Sequence, residues 1–376
     1  MTDSTIVAGI TVESAAAVGA RKGPLPTRKP HHGEIARPIV HMWAKAIGSR
    51  NLLSFDESYA RQSCFGGIVA PGTFLYAVDD TVHLPVGSTL GAAYAQVRWE
   101  FLRPLRLGTK VTTKSWIEDV IVKDSSFADK AIHQISVTEY SDAQGRLLAR
   151  ARPTLFLYDR RAAVEIGKYS HIVRHATVGA EVQKISTAYD EESIRGAEVR
   201  YAEEVKIGEP LGPVVRGPLT AEDVICFVEC SCPPATYEYF LDARRNGTGY
   251  YFIDEYGVPN SWYTALLLDD VAAREGVPVA HDYGPERVCW IDDAIRNWAG
   301  DAGFVRKLDV RLTSPAVHTH TTWITGSVTD LRITDESSIA TVHLEGTNQA
   351  GVKTIEAAAE VELQSLRVPV RASAIR

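Results

Sequence analysis

Alternation between apolar and polar residues marks four segments in the first half of the chain as half-buried β-strands. Ahead of them, Ile35–Ile47 and Asp56–Gln62 are predicted to be helical, and the apolar run Thr73–Val82 also has helical spacing. Helices followed by a run of antiparallel strands predict an α+β fold, because a parallel sheet would need helices and strands to alternate. The predicted strands are Tyr94–Phe101, Lys110–Val122, His133–Tyr140 and Leu147–Tyr158.

The second half of the chain repeats this order of elements. Thr220 is a predicted N-cap for a helix over Ala221–Cys230, with Asp223 at the capping-box position. A longer helix is predicted over Pro285–Trp298, and a strand begins within Glu203–Val215. The later predicted strands are Val305–Leu312, Thr321–Thr329, Ile339–Asn348 and Thr354–Gln364.

Matching turns indicate an internal duplication. The same order of strand, proline, short turn and strand is predicted in two segments, Val97–Gly108 and Leu308–Thr319. A turn also precedes the last strand of each half, at Tyr140–Gly145 and at Gly346–Gly351. A sheet wrapped around one long helix and built twice is a tandem (double) hotdog, whose sheets we expect to align edge to edge. The predicted boundaries are a leader 1–34, an N-terminal hotdog 35–160, a polar linker 161–200 and a C-terminal hotdog 201–370 with an aromatic segment 231–280.

Bulk properties exclude some functions. The 376 residues are 45% hydrophobic and 23% charged, with a net charge of −7, which argues against nucleic acid as a partner. A small anionic ligand such as a CoA thioester needs only a local basic patch. The sequence predicts no membrane span and no signal peptide, so a cytoplasmic protein is expected. The leader is expected to wrap on the surface or to be partly disordered.

Two clusters of metal-ligating residue types were weighed. Cys226, Cys230 and Cys232 lie close together, but the Cys-x-x-Cys spacing of a zinc site is absent, so reduced thiols and no metal are expected. His318 and His320 would share one side of an extended segment and form a metal pair, although an exposed loop is the default reading.

Two motifs resemble a known family. The segment Ala46–Thr73 (AIGSRNLLSFDESYARQSCFGGIVAPGT) resembles the N-terminal dehydratase domain of MaoC-like proteins. The segment Ala280–Phe304 (AHDYGPERVCWIDDAIRNWAGDAGF) resembles the C-terminal hotdog helix of double-hotdog acyl dehydratases. The resemblance covers most of residues 35–365. It implies an acyl-CoA or acyl-carrier thioester as substrate, no cofactor, and addition or loss of water between carbons 2 and 3.

In the family an Asp and a His transfer the protons, and both are replaced here. Ser49 and Ser54 occupy their positions in the first half, while Asn51 and Asp56 of the same motif remain. Counting back from the second motif places the corresponding residues of the second half near Asn260 and Leu266. Leucine cannot transfer a proton, so the usual pair is absent from both halves.

The start of the second motif supplies substitute candidates. His281 and Asp282 precede the predicted helix and are the predicted catalytic pair, with a surface histidine and a helix-capping aspartate as the alternative. Tyr283 is predicted to orient the substrate. The N–H of Gly284 is predicted to meet the thioester carbonyl, although a tight turn alone would also explain glycine. Arg287 is predicted to bind a carboxylate or phosphate, or else to form a structural salt bridge.

The aromatic segment suggests a ligand pocket. Trp262 and Tyr263, together with Tyr250, Tyr251 and Phe252, are predicted to line a pocket for a bulky or aromatic acyl group, with core packing as the alternative.

Three functions remain open on the sequence alone. The first is an acyl-thioester hydratase/dehydratase with a relocated acid/base pair. The second is a biosynthetic enzyme on the same scaffold that isomerises or cyclises its substrate, and the third is a silent binding subunit that needs a second chain. The expected ligand is a small-molecule substrate, possibly an acyl thioester. Hotdog modules often pair, so a homodimer is an alternative to a self-sufficient fused pair.

Overall fold

One long antiparallel sheet organises the molecule. The computed structural model describes residues 18–84, 90–231 and 251–367. The strands of these residues are β1 (Gly23–Pro24), β2 (Val69–Ala70), β3 (Gly91–Phe101), β4 (Leu105–Arg106), β5 (Val111–Ser125), β6 (Asp129–Asp142), β7 (Leu147–Tyr158), β8 (Pro210–Arg216), β9 (Tyr251–Ile253), β10 (Pro259–Ser261), β11 (Phe304–Leu312), β12 (Thr322–Ile333), β13 (Ser338–Asn348) and β14 (Lys353–Glu362). The main sheet has the order β1-β5-β6-β7-β3-β11-β14-β13-β12-β8, and β2 pairs with β4 and β9 with β10.

The two halves meet at the centre of this sheet. Strand β3 of the N-terminal half pairs antiparallel with β11 of the C-terminal half, with Val97 opposite Val310. The predicted edge-to-edge alignment is therefore confirmed. The duplication extends to the turns, since Asp142 and Asn348 each accept hydrogen bonds from the backbone N–H groups two and four residues later.

The helices of the described residues are α1 (Arg37–Ala46), α2 (Glu57–Gln62), α3 (Arg160–Ile166), α4 (Ala180–Asp190), α5 (Ala221–Cys230), α6 (Asp269–Ala273) and α7 (Pro285–Ala299). Short 3₁₀ helices cover Leu52–Ser54, Gly72–Ala77, Ala202–Glu204 and Trp262–Leu266. Helix α7 is the central helix of the C-terminal hotdog, and every residue in it except Arg296 is buried. None of these helices is long and apolar enough to cross a membrane.

Two predicted caps are present. The side chain of Asp56 accepts a hydrogen bond from the N–H of Tyr59 and begins α2. Thr220 and Asp223 form the complete capping box at the start of α5. Each cap satisfies backbone donors that the first turn of a helix leaves without a partner.

The prediction of a long central helix in both halves is wrong for the N-terminal half. The segment predicted to be helical over Thr73–Val82 forms only the 3₁₀ helix Gly72–Ala77. It ends because the side chains of Asp79 and Asp80 accept hydrogen bonds from the backbone N–H of Thr81 and Val82, and Thr81 adopts a φ of 63°. Such local side-chain bonds compete with helical ones.

The described part of the leader and the linker both contain regular secondary structure. Within the described part of the leader, β1 pairs with β5 at the edge of the sheet. The linker 161–200, predicted to be aperiodic, contains most of α3 and all of α4. Asp159 caps α3 by accepting hydrogen bonds from the N–H groups of Arg161 and Ala162.

A buried ionic network ties the linker to both halves. The guanidinium of Arg216 on β8 lies 2.6 Å from the carboxylate of Asp293 on α7 and 3.2 Å from that of Glu192. All three side chains are buried. Arg216 also donates to the backbone carbonyl of Ile47 in the N-terminal half.

Candidate functional site

A cavity of about 1030 Å³ lies between the two hotdogs, where α7 begins. This volume is at the upper end of the range for pockets that take a drug-sized ligand. Both halves contribute to its wall. The N-terminal half provides residues such as Asp80, Tyr94, Leu155 and Tyr158, and the C-terminal half provides Tyr251, Trp262, Leu266, Tyr283 and Leu312.

Gly284 forms the N-terminus of α7 at the cavity wall. Its backbone is the N-cap of the helix, and Pro285 occupies the first helical position. A Cβ atom at residue 284 would lie 2.7 Å from Cβ of Tyr94 and 3.0 Å from a methyl group of Leu312. Glycine is therefore required by this close approach, and its backbone faces the space where a ligand would lie.

Asp282 and Arg287 form a buried ion pair. The guanidinium Nε of Arg287 donates to the carboxylate of Asp282 over 2.7 Å, and both side chains are almost fully buried. The same guanidinium donates to the backbone carbonyls of Ser314 and Thr354. Both residues line the cavity, but the carboxylate of Asp282 is held by Arg287, so the pair braces the start of α7.

His281 also reaches the cavity wall. Its Nδ1 lies 3.0 Å from the backbone carbonyl of Asp282, and its backbone bridges to Val317. The imidazole and the Asp282 carboxylate thus do not form a hydrogen-bonded acid/base pair.

A different pair is hydrogen-bonded inside the cavity. The phenol of Tyr283 donates to Oδ2 of Asp80 over 2.8 Å, and both side chains are buried. Tyr263 continues the chain of polar groups, with its oxygen 3.5 Å from that of Tyr283. Asp80 belongs to the N-terminal half and Tyr283 to the C-terminal half, so the pair exists only when the two halves are joined.

The surroundings of Asp80 and Tyr283 set their protonation. Burial raises the pKa of Asp80 to about 6, the guanidinium of Arg28 opposes this rise, and the adjacent Asp79 adds to it. Burial and the Asp80 carboxylate raise the pKa of Tyr283 well above its usual value. Near neutral pH the cavity wall therefore presents a carboxylate next to a protonated phenol.

Arg28 comes from the leader. Its Nη1 lies 3.3 Å from Asp80 and 3.8 Å from Asp79, and its Nη2 donates to the carbonyl of Val82. The backbone N–H of His31 bonds to the carbonyl of Val78 and fixes the segment beside the cavity. The leader thus forms part of the site.

Sequence reasoning missed Asp80 and Arg28. The available signal for Asp80 was a pair of carboxylates inside an otherwise apolar run. Arg28 lay in a Gly/Pro/basic segment that was interpreted only as leader. The contact between Asp80 and Tyr283 spans 203 residues, and no local pattern encodes such a distance.

In the first half, the residues in the motif that resembles the family's catalytic segment make local hydrogen bonds. Ser54 donates to the carbonyl of Val69, and Asn51 caps the 3₁₀ helix that follows it. The cavity beside Asn51 is only about 50 Å³, so the site of the first half is closed. Leu266 does line the large cavity, whereas Asn260 hydrogen-bonds Asp254 within the β9–β10 hairpin.

The aromatic segment is divided between the cavity and the core. Of the predicted pocket residues, Tyr251, Trp262 and Tyr263 line the cavity. Phe252 packs against Trp262 in a small separate core. The prediction for Tyr250 lies outside the described residues.

The described members of the two candidate metal clusters belong to no site with three or more metal-ligating side chains. Within residues 18–84, 90–231 and 251–367, no group of three or more His, Cys, Asp or Glu side chains has a geometry that could hold a metal ion. Cys226 and Cys230 are free thiols, and Cys232 lies outside the described residues. The segment around Thr319 is a turn with a φ of 69°, not an extended strand, and His318 is buried while His320 bonds the carbonyl of Val173.

Comparisons with known proteins find similar sequences. A family model described as the FAS1-like dehydratase domain region matches residues 26–151. A curated relative, a UPF0336 protein from Streptomyces avermitilis, is 28% identical over 94 residues, in an alignment that covers 23% of this chain and 63% of that protein. The chain thus spans somewhat less than two thirds of that relative.

Solved structures match over nearly the whole chain. A MaoC-like dehydratase superposes with a TM-score of 0.65 at 16% identity, covering 93% of this chain and 99% of that one. A putative MaoC domain protein dehydratase from Chloroflexus aurantiacus gives 0.57 at 10% identity, covering 92% and 95%. A Mycobacterium tuberculosis protein described as having a double hotdog fold gives 0.55 at 10% identity, covering 91% and 96%.

The chain therefore has a double hotdog fold similar to that of solved MaoC-like dehydratase structures. The dehydratase-region model matches its N-terminal half, where the first of the two sequence motifs lies.

Proposed function

We propose that this chain is a lyase that adds water to, or removes it from, an acyl thioester in the cavity between its two hotdogs. The observation that carries the proposal is the buried pair of Asp80 and Tyr283 at the start of α7. A carboxylate whose pKa is near 6 suits a general base at neutral pH, and a protonated phenol suits the acid.

The backbone at Gly284 supplies the electrostatic part of the proposal. An N–H group at the start of a helix stabilises negative charge, and the dipole of α7 adds to this. With the thioester carbonyl facing this end, carbons 2 and 3 lie toward the cavity wall that holds Tyr283. The acyl carrier, either CoA or a carrier protein, would remain outside, and no cofactor is needed.

In the proposed hydration, both catalytic groups recover their starting protonation states. Asp80 removes a proton from water as the oxygen bonds to carbon 3, and the electrons of the double bond move toward the thioester carbonyl. The phenol of Tyr283 gives its proton to carbon 2. The proton now on Asp80 returns to the phenolate along their hydrogen bond, which restores both groups. Dehydration is the reverse.

The pair His281 and Asp282 is less suited to this role. Asp282 is neutralised by Arg287, and the imidazole of His281 contacts a backbone carbonyl instead of that carboxylate. The position of His281 on the cavity wall is compatible with contact to the carrier or the substrate.

Mass spectrometry of product tests the proposal. The purified full chain is incubated with a panel of 2-enoyl- and 3-hydroxyacyl-CoA thioesters, and a change of one water is the expected result. Asp80→Asn and Tyr283→Phe should each lower kcat by about 10²–10⁴ while the protein stays folded. His281→Ala should stay within a few fold. Full activity of Asp80→Asn would remove Asp80 from the mechanism.

An isomerisation is the second candidate, favoured by the direct hydrogen bond between the two proton-transfer groups. Such a pair can move a proton from one substrate carbon to another without water. Unchanged product mass with a changed spectrum of the thioester would identify this reaction.

A further inference from the structure

A second polar cluster lies in the aromatic part of the same cavity, away from the groups that the proposed chemistry uses. The carboxylate of Glu275 accepts a hydrogen bond from the phenol of Tyr158 over 2.9 Å and from Nε of Arg160 over 3.0 Å. Glu275 is only 7% exposed, and all three side chains line the cavity. Trp262 completes the cluster, since the guanidinium of Arg160 lies 4.0 Å from its ring centre.

Contacts along the cavity wall connect this cluster to the proposed acid/base pair. The ring of Tyr283 packs against that of Tyr263 at 5.7 Å, and Tyr263 is next to Trp262 in the chain. Beyond Glu275, the ring of Tyr158 packs against Phe127 at 5.0 Å. A ligand that reaches from the acid/base pair to Glu275 therefore lies along a wall of aromatic rings.

The loop that carries Glu275 is fixed in position. Gly276 has a φ of +86°, and a Cβ there would lie 2.9 Å from Cβ of Ala163 on α3. This close approach holds Glu275, which follows α6 of the C-terminal half, against Tyr158 and Arg160 of the N-terminal half. The carboxylate is thus held in place before any ligand binds.

The chemistry of the cluster selects the ligand. Each oxygen of the Glu275 carboxylate can accept more than the one hydrogen bond that Tyr158 or Arg160 supplies. Because the Glu275 carboxylate and the Arg160 guanidinium form an ion pair, neither an anionic nor a cationic tail would find an unpaired opposite charge in this cluster, and Arg160 already occupies a face of Trp262. A neutral donor such as a hydroxyl remains, and an aromatic wall favours a ring.

We propose that the cavity is a specificity site for an acyl group that carries a hydroxylated ring, with the ring beside Tyr158 and its hydroxyl donating to Glu275. The inference rests on the proposed function for the orientation of the thioester. It names the acyl group and Glu275 as the specificity-determining residue.

Matched thioesters test the inference. The full chain is assayed with 4-hydroxycinnamoyl-CoA, cinnamoyl-CoA and the linear crotonyl-CoA. A hydrogen bond to a carboxylate should raise kcat/KM for the hydroxylated ring at least about tenfold over the plain ring. Glu275→Gln should reduce this ratio toward one. The exposed Glu222→Gln on α5 is the control and should leave the ratio unchanged.

The outcomes separate this inference from the proposed function. Turnover of crotonyl-CoA without a preference for the hydroxylated ring would overturn the inference and leave the lyase proposal standing. An equal loss on all three substrates in a folded Glu275→Gln protein would also overturn it. Calorimetric binding of free 4-hydroxycinnamate and cinnamate to wild type needs neither the variant nor turnover. A preference there, with no thioester converted, supports the subsite and refutes the lyase.

Discussion

The pH dependence of turnover follows from the surroundings of Asp80. In the proposed mechanism Asp80 acts as a carboxylate base, and its pKa of about 6 means that the proposed activity should be lost as the pH falls through that value. We expect kcat/KM to be level near pH 8 and to fall about tenfold per pH unit below 6.

Replacing Arg28 by Gln should move this transition upward. The guanidinium favours the charged form of Asp80, so its removal raises the pKa of the carboxyl group. The side chain of Arg28 is 44% exposed, and such a pair contributes about 0.2–1 kcal/mol. At 1.36 kcal/mol per pH unit, the midpoint should rise by less than about one unit, which lowers activity at pH 6 by up to about threefold.

Initial rates of thioester turnover between pH 5 and 9 measure the effect. Arg28→Lys keeps the charge and should keep most of the wild-type profile, and the remote, exposed Arg37→Gln should keep all of it. Groups that face Asp80 and stay unchanged in these variants are Asp79, Tyr94 and Tyr283. A midpoint that stays fixed or falls in Arg28→Gln would show that Asp80 is not the titrating base.

Further predictions concern stability and the shape of the site. Arg216→Met should lower the free energy of unfolding by about 3–5 kcal/mol, because it leaves the buried Asp293 carboxylate without its cation; a urea midpoint within error of wild type would contradict this. Gly284→Ala should cost about 1–3 kcal/mol and reduce kcat, since its methyl group meets Tyr94, and an unchanged melting temperature would argue against that contact. Thr220→Ala should cost about 0.5–2 kcal/mol through loss of the capping box, measured by thermal melting against a neutral surface variant.

The sequence predicted features that depend on neighbouring residues. Strand alternation located the main sheet, and the caps at Asp56 and Thr220 were identified because a cap is a bond between residues three positions apart. The fold followed from the repeat of these elements. The helix predicted over Thr73–Val82 failed because Asp79 and Asp80 bond their own backbone, which apolar spacing does not reveal.

The candidate site was only partly predictable. The start of α7, for which the sequence predicts substrate contacts at Tyr283 and Gly284, lines the cavity. The partner of Tyr283 lies in the other half of the chain, and its selection depends on how the two halves meet. The small volume of the cavity beside Asn51 likewise depends on side-chain packing, which the sequence pattern does not reveal.

The outer strands of the ten-stranded sheet have a consequence for aggregation. Strand β1 is Gly23–Pro24, and β8 contains Pro210 and Pro213. Proline has no N–H to donate, so these borders make poor templates for another β-strand. Pairing of another β-strand onto β1 or β8 is therefore disfavoured.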